Sequence, residues 1–209
     1  MGRVPRVSPD RILAVAALEF AERGFAGARV DRIARRAHVN KAMLYYHFRS
    51  KQHLYRTLLR RMFTRAAARL QAIAASPAPP ADKVGRALAG MAAFIEEHAP
   101  FPRIMLREVA DGGVHLDRDT LEALAAVPRA FGAIVHQGVE SGAFRRVDPM
   151  FAYFSMLAPL VFYLAGAPIR KKISHLHVAG FRSRPPADFV SHMQDAVRRS
   201  FARDRRLRS

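Results

Sequence analysis

The 209-residue chain has no cysteine and no tryptophan, and its acids are few: 17 Asp and Glu stand against 35 Lys and Arg. Without cysteine there is no disulfide framework, thiolate metal site or cysteine nucleophile, and a reducing compartment is the expected setting. Glycine at 12 and proline at 13 are too sparse for a fibrous or low-complexity chain. The first eleven residues lack the apolar core of a signal peptide, and Arg6 stands where a myristoylation signal needs Ser or Thr. A cytoplasmic location is therefore expected. Apolar residues are plentiful, at 50%. That is enough for a sizeable core in one ordinary domain or two small ones, and it excludes global disorder.

The formal net charge of +18 is unevenly placed. Residues 1–75 hold 16 bases and 4 acids, residues 76–197 hold 13 and 12, and the last twelve hold 6 and 1. Charge added for solubility would be spread more evenly. A segregated positive field concentrates a polyanion, and nucleic acid phosphate is the commonest such partner. High arginine usage throughout a basic proteome is the competing explanation.

Nearly every periodic segment has helical spacing and none alternates with period two, so an all-α fold is expected. Ser8 and Pro9 open a helix with the stripe Ile12, Leu13, Ala16, Ala17 and Phe20, ended by Gly24. Val30–Ala37 forms a short helix, Asn40 caps another over Lys41–His47, and Ser50 opens a longer one. Ser76–Pro80 is the clearest linker. Beyond it Val84, Leu88, Met91, Ala92 and Ile95 line one face, Pro100 stops that helix, and Asp111-Gly-Gly113 breaks the next. Leu121, Leu124, Pro128, Phe131 and Val135 continue at spacings of three and four, with a kink expected at Pro128. Phe189 to Phe201 marks a final helix, and Ala167–Pro186, which has two basic clusters but no clear period, reads as a loop.

Pro149–Ile169 contains no charge, and its 21 residues could span a bilayer with Arg170-Lys-Lys172 as cytoplasmic flank. Against a span stand Pro159 in its middle, Ser155, two tyrosines and the lack of a second such segment. A helix apolar all round also suits burial between subunits. Pairing of Pro149–Ala165 and Phe189–Phe201 with their copies in a four-helix bundle is the preferred reading.

The informative stretch is Gly24 to Lys51. Two short helices separated by Ala37-His38-Val39 fit a helix-turn-helix, whose second helix enters the major groove. Ile33, Ala34 and Val39 can fix the angle between them. Leu44 and Phe48 lie four apart and anchor the second helix, leaving Lys41, Ala42, Met43, Tyr45 and Tyr46 able to face a duplex. Tyr45 and Tyr46 cannot both turn inward on a helix already using Leu44 and Phe48. His47 and Lys51 can reach phosphate, although a capping or core role for His47 is the alternative.

Leu44-Tyr-Tyr-His-Phe-Arg-Ser-Lys51, following Ile33-Ala34 and Val39, resembles the DNA-binding region of TetR/AcrR-type transcriptional regulators. The motif resemblance covers about residues 8–55. It implies a helix-turn-helix domain at 8–54, a helical ligand-binding and dimerisation domain at 55–205, and a homodimer on a pseudo-palindromic operator. Repression relieved by a small ligand is the usual outcome in the family. The match makes Lys41, Ala42 and Met43 the groove-facing start of the recognition helix, puts Tyr45 and Tyr46 at backbone or base edges, and gives His47 and Lys51 to phosphates. Three positions depart from the pattern. His38 stands where Gly is frequent, so a positive φ there would cost strain. Arg29 stands in place of a capping Ser or Thr. Met43 replaces a common Thr and offers an apolar surface to a thymine methyl.

Arg23, Arg32, Arg35 and Arg36 are either part of the field or a solvated face. Arg3 and Arg6 suit a minor-groove arm or a frayed end, and the tail from Arg198 a solvated helix end. In the second part of the chain the ligand-binding candidates are Phe94, Phe101, Met105, Phe131 and Phe162, with His98, His136, Tyr153 and Tyr163 as polar groups that fix orientation. The ligand expected is a small apolar or aromatic molecule. No cofactor is expected, and His175-Leu-His177 lacks the further ligands a metal needs. Enzyme signatures such as Gly-x-Ser-x-Gly, a phosphate loop or His-Glu-x-x-His are missing, so a DNA-binding regulator is favoured over an enzyme. The remaining rivals are a membrane-anchored regulator using 149–169 and an architectural DNA binder without sequence preference.

Overall fold

The structure, a computed structural model, describes residues 8–176, 178 and 184–201. His177, Arg3, Arg6 and the tail beyond Phe201 lie outside the described residues. Ten α-helices and no strand occur among those described: α1 Pro9–Gly27, α2 Val30–Ala37, α3 Lys41–Phe48, α4 Lys51–Ala75, α5 Pro80–Glu97, α6 Phe101–Ala110, α7 Arg118–Glu140, α8 Pro149–Ala165, α9 Ala167–Ser174 and α10 Pro186–Phe201.

Helix ends follow local chemistry. Asn40, Ser50, Asp117 and Asp148 each accept a backbone N–H from the first turn of the helix they precede, satisfying donors that no helical carbonyl can reach. Ser8 adopts the extended cap geometry but makes no side-chain bond; Pro9 at the first helical position needs none. Gly24 interrupts α1 as expected, with φ 69° and ψ 177°, yet the chain winds one further turn to Gly27. A Cβ at Gly24 would lie 2.9 Å from the Arg107 guanidinium. Only glycine takes this backbone beside that side chain at low cost.

α4 is the spine. One end packs with α1 and α3, and the rest lies along α7, its most extensive neighbour, with α5 beside it. It therefore runs unbroken past residue 54, where the sequence suggested a domain limit. α7 contains Pro128 within its span and presents Phe131, Ile134 and Val135 to the core, all fully buried. Near its end, a Cβ on Gly138 would overlap the Phe144 ring, so this glycine makes room for the turn into α8. α10 closes the other side against α5 and α8, where the Gln194 side chain donates to the Gly85 carbonyl at 2.8 Å.

One sequence expectation changes here. The first part of the supposed loop 167–186 is helical, as α9. Its uncharged neighbour α8 ends at Ala165, and the two helices meet across Gly166 at a 61° bend. Among the described residues no single helix is long and apolar enough to cross a membrane.

Candidate nucleic-acid interface and effector cavity

α2 and α3 stand on a small core built from α1 and the start of α4. Ile33, Ala37 and Leu44 have no exposure and Phe48 almost none. With Leu44 and Phe48 held beneath, the opposite side of α3 faces outward. Tyr46 is 82% exposed, and Ala42, Met43 and Tyr45 are exposed with it. Asn40 Oδ1 accepts the Met43 N–H at 2.7 Å and so fixes where this face begins.

The turn before α3 carries the anticipated strain. His38 has φ 55° and ψ 42°, a left-handed conformation in which its N–H donates to the Arg35 carbonyl at 3.1 Å. Histidine enters this region more readily than bulky branched residues. Arg49, just past α3, also has positive φ, at 57°. It is an exposed base beside the outward face, and sequence reasoning misses it because nothing in its type announces a helix end.

The electrostatics of this unit are more internal than the sequence suggested. Glu19 on α1 is wholly buried; its carboxylate takes Arg32 at 2.9 Å, Arg36 at 3.5 Å and the Arg29 backbone N–H at 3.3 Å. Glu19 thus does for the start of α2 what the absent capping hydroxyl at Arg29 would have done. Arg32 is consequently tied down; Arg36 is exposed, as are Arg23, Arg29 and Arg35, and it bridges Glu19 and the exposed Glu22, the latter at 3.2 Å. Lys41 pairs with Asp31 at 2.8 Å, and that lysine holds the Asp31 carboxyl below its usual range. Both partners are well exposed, so phosphate can compete for the ammonium. His47 is half-buried with its ring 5.3 Å from that of Tyr46.

Lys51 requires a correction. Its ammonium donates to the carbonyls of Phe25, Ala28 and Ala26 at 2.8, 3.1 and 3.3 Å and sits 4.6 Å over the Phe25 ring. Three donors meet three acceptors. The side chain is turned inward to close the end of α1 instead of outward to a phosphate.

α5, α6, α7 and α8 enclose a cavity of about 660 Å³, with Phe63 and Ala66 of α4 on its floor. Of the sequence candidates, Phe94, Phe101, Met105, Tyr153 and Phe162 line it. The other four do not. Phe131 is fully buried and backs Tyr153 edge-on, with ring centroids 6.4 Å apart. His98 bonds through Nδ1 to the Phe94 carbonyl at 2.8 Å and lines a separate groove between α1, α4 and α6. His136 is exposed beside Glu140 at 3.2 Å. Tyr163 stacks on Phe189 at 4.0 Å and joins α8 to α10. Met91, Leu124, Val127 and Leu157 also line the space. Their spacing marks them as inward-facing, but period alone cannot tell a filled interior from one left open where helices diverge.

α6 connects cavity and helix-turn-helix. Phe101 and Met105 face the cavity; around the same helix, Arg107 donates to the carbonyls of Phe20 and Glu22 at 3.3 and 3.4 Å. Glu108, 2% exposed, accepts the Tyr55 hydroxyl at 2.8 Å, the His115 N–H at 3.0 Å and His115 Nδ1 at 3.1 Å. Burial, followed by the hydrogen bond to Glu108, pushes the Tyr55 pKa far up, so it remains a neutral donor.

Comparison with known proteins agrees with this arrangement. A family model described as "Bacterial regulatory proteins, tetR family" matches residues 12–58, and one described as "Tetracyclin repressor-like, C-terminal domain" matches residues 80–179. The chain is 30% identical to the HTH-type transcriptional regulator RutR of Escherichia coli, over 75% of this chain and 74% of the relative. It is 29% identical to the HTH-type transcriptional repressor NicS of Pseudomonas putida, over 93% and 92%. The crystal structure of the TetR family regulator PfmR from Thermus thermophilus superposes with a TM-score of 0.68 at 26% identity, covering 94% of this chain and 98% of that one. An outward helix on a buried anchor, a basic N-terminal unit and these matches lead to one assignment: the chain belongs to the TetR family of DNA-binding transcriptional regulators.

Proposed function

We propose that this regulator is a repressor that binds a pseudo-palindromic operator as a homodimer and leaves it when a small apolar or aromatic ligand enters the cavity. Residues 8–54 act as the DNA-binding unit and 55–205 as the ligand-binding and dimerisation unit. The observation that carries the reading is α3: Leu44 and Phe48 clamped below, with Met43, Tyr45 and Tyr46 presented above. Met43 contacts base edges, Tyr45 and Tyr46 contact base edges or backbone, Lys41, Arg29 and His47 contact the backbone, and Ala42 allows close approach. Lys51 acts indirectly, by fixing the unit's internal geometry.

The dimer reading is supported by α8, which leaves Met150 and Phe151 exposed, outside the cavity lining, on a helix without charge. Relief by ligand is supported by α6, whose one side lines the cavity while the other is fastened to α1 and α4. A ligand that displaces Phe101 or Met105 shifts the helix that carries Arg107 and Glu108. Such coupling needs different ligand affinities in the two conformations.

Selecting bound fragments from a random DNA pool tests the reading. The expected result is an inverted repeat preferred over random DNA by about a thousandfold or more. Uniform binding to all fragments would instead indicate an architectural binder.

A further inference from the structure

Resting on the reading of this cavity as the effector site, we infer that it takes a neutral lipophilic molecule bearing a single carbonyl or hydroxyl group, met by Tyr153, and rejects carboxylates and ammonium ions of the same length. Among the described residues that line the cavity, Tyr153 alone has a polar side chain. The opening is apolar too: Leu106, Val109, Phe154 and Phe162 are both lining and exposed. An ionic head therefore finds no counter-charge at either end, and an unpaired ion in an apolar site costs several kcal/mol, on the order of a hundredfold or more in affinity.

Four charged side chains on the surrounding helices, Arg107, Glu108, Arg69 and Arg103, are directed elsewhere. Arg107 and Glu108 are committed to α1, Tyr55 and His115. Arg69 on α4 is held by the Gly90 carbonyl and Glu97. Arg103 lines a different groove, with Glu22 and Glu96. None can balance a ligand charge without giving up these surroundings.

Tyr153 is set to act as the one polar contact. Phe131 and Phe154 hold its ring edge-on, at 6.4 and 5.2 Å. Its hydroxyl meets no partner among the described residues, and burial alone raises its pKa, so it stays protonated and able to donate. A ligand carbonyl or hydroxyl satisfies it; a pure hydrocarbon leaves it bare, at the cost of one hydrogen bond. The volume, about 660 Å³, suits an organic ligand of ordinary size.

The test is displacement of Nile red, a neutral lipophilic fluorophore, from the full-length protein by decanol, methyl decanoate, sodium decanoate and decylammonium. Decanol and methyl decanoate should compete at least about a hundredfold better than the two ions. Tyr153→Phe should weaken decanol and methyl decanoate about fivefold against that variant's own Nile red affinity. Leu106→Lys, at the exposed rim, should bring decanoate level with decanol. Decanoate competing as well as decanol against the parent protein, or decanol affinity indifferent to Tyr153→Phe, overturns the ligand class and leaves the effector cavity standing. Nile red that fails to bind, or is displaced by none of the four, overturns both.

Discussion

The ammonium of Lys51 donates to the carbonyl of Phe25 at 2.8 Å, joining the first residue of α4 to the broken end of α1 across 26 residues of sequence. The last turn of α1 leaves carbonyls without helical partners, and Lys51 gathers two of them, Phe25 and Ala26, together with that of the cap residue Ala28. Lysine does this well because it is a compact charge with three rotatable donors, placed where the helix dipole is negative.

Lys51→Ala should therefore lower stability by about 1–3 kcal/mol, the usual cost of losing hydrogen bonds to a charged group. The salt dependence of DNA binding should stay that of the parent. Thermal denaturation and a salt titration of operator affinity check the two halves. A log–log slope reduced by about one would mean that Lys51 contacts a phosphate after all.

Tyr46 and Leu44 separate recognition from folding on one helix. Tyr46→Ala removes an 82% exposed ring and should change stability by less than about 0.5 kcal/mol while weakening operator binding by about tenfold. Leu44→Ala removes a side chain with no exposure and should cost about 2–5 kcal/mol, abolishing binding through loss of the fold. Denaturant unfolding beside gel-shift titration distinguishes the two. Equal destabilisation by both would remove the exposed-face argument.

Tyr55→Phe deletes the 2.8 Å hydrogen bond to Glu108 and leaves a buried carboxylate oxygen short of a donor. A loss of about 1–3 kcal/mol is expected, with operator release by ligand blunted because α6 is less firmly joined to α4. The measurement is ligand-dependent dissociation followed by fluorescence anisotropy of labelled DNA.

Asp117 caps α7 by accepting the Thr120 N–H at 3.0 Å. The hydrogen bond from the Thr120 hydroxyl, above all, holds its pKa below the ordinary value of 3.8. A depressed folded-state pKa means that this contribution is present above about pH 4 and fades as pH falls through the folded value. Asp117→Ala should cost about 1 kcal/mol at neutral pH, and the gap to the parent should narrow below about pH 4. Unfolding curves across that range would show a constant gap if the cap did not depend on ionisation.

Phe151 is 68% exposed on α8 and lies outside the ligand cavity. Phe151→Glu should leave the monomer folded and shift the protein from dimer to monomer in sedimentation velocity. A dimer that survives this charge would place the interface elsewhere.

Much of this molecule is legible in the chain itself because caps, prolines and three-to-four spacing act over a few residues. Asn40, Ser50 and Asp148 stop and start helices through bonds to N–H groups two or three positions away. Leu44 and Phe48 point downward because they lie four apart. The supposed loop containing α9 was illegible for the converse reason: eight residues with mixed basic and apolar character give no resolved period, and the helix follows from the bend at Gly166.

The same contrast divides the function. Sequence alone set the all-α class, the position of the helix-turn-helix and the outward face of α3, since each depends on local geometry and on where charge is concentrated. Tertiary structure decided that Lys51 and Arg32 turn to internal partners, that Phe131 fills space while Tyr153 borders a void, and that α6 joins cavity to helix-turn-helix. Those outcomes depend on what stands opposite a side chain tens of residues away, and a long charged or aromatic group takes whichever neighbour folding brings within reach.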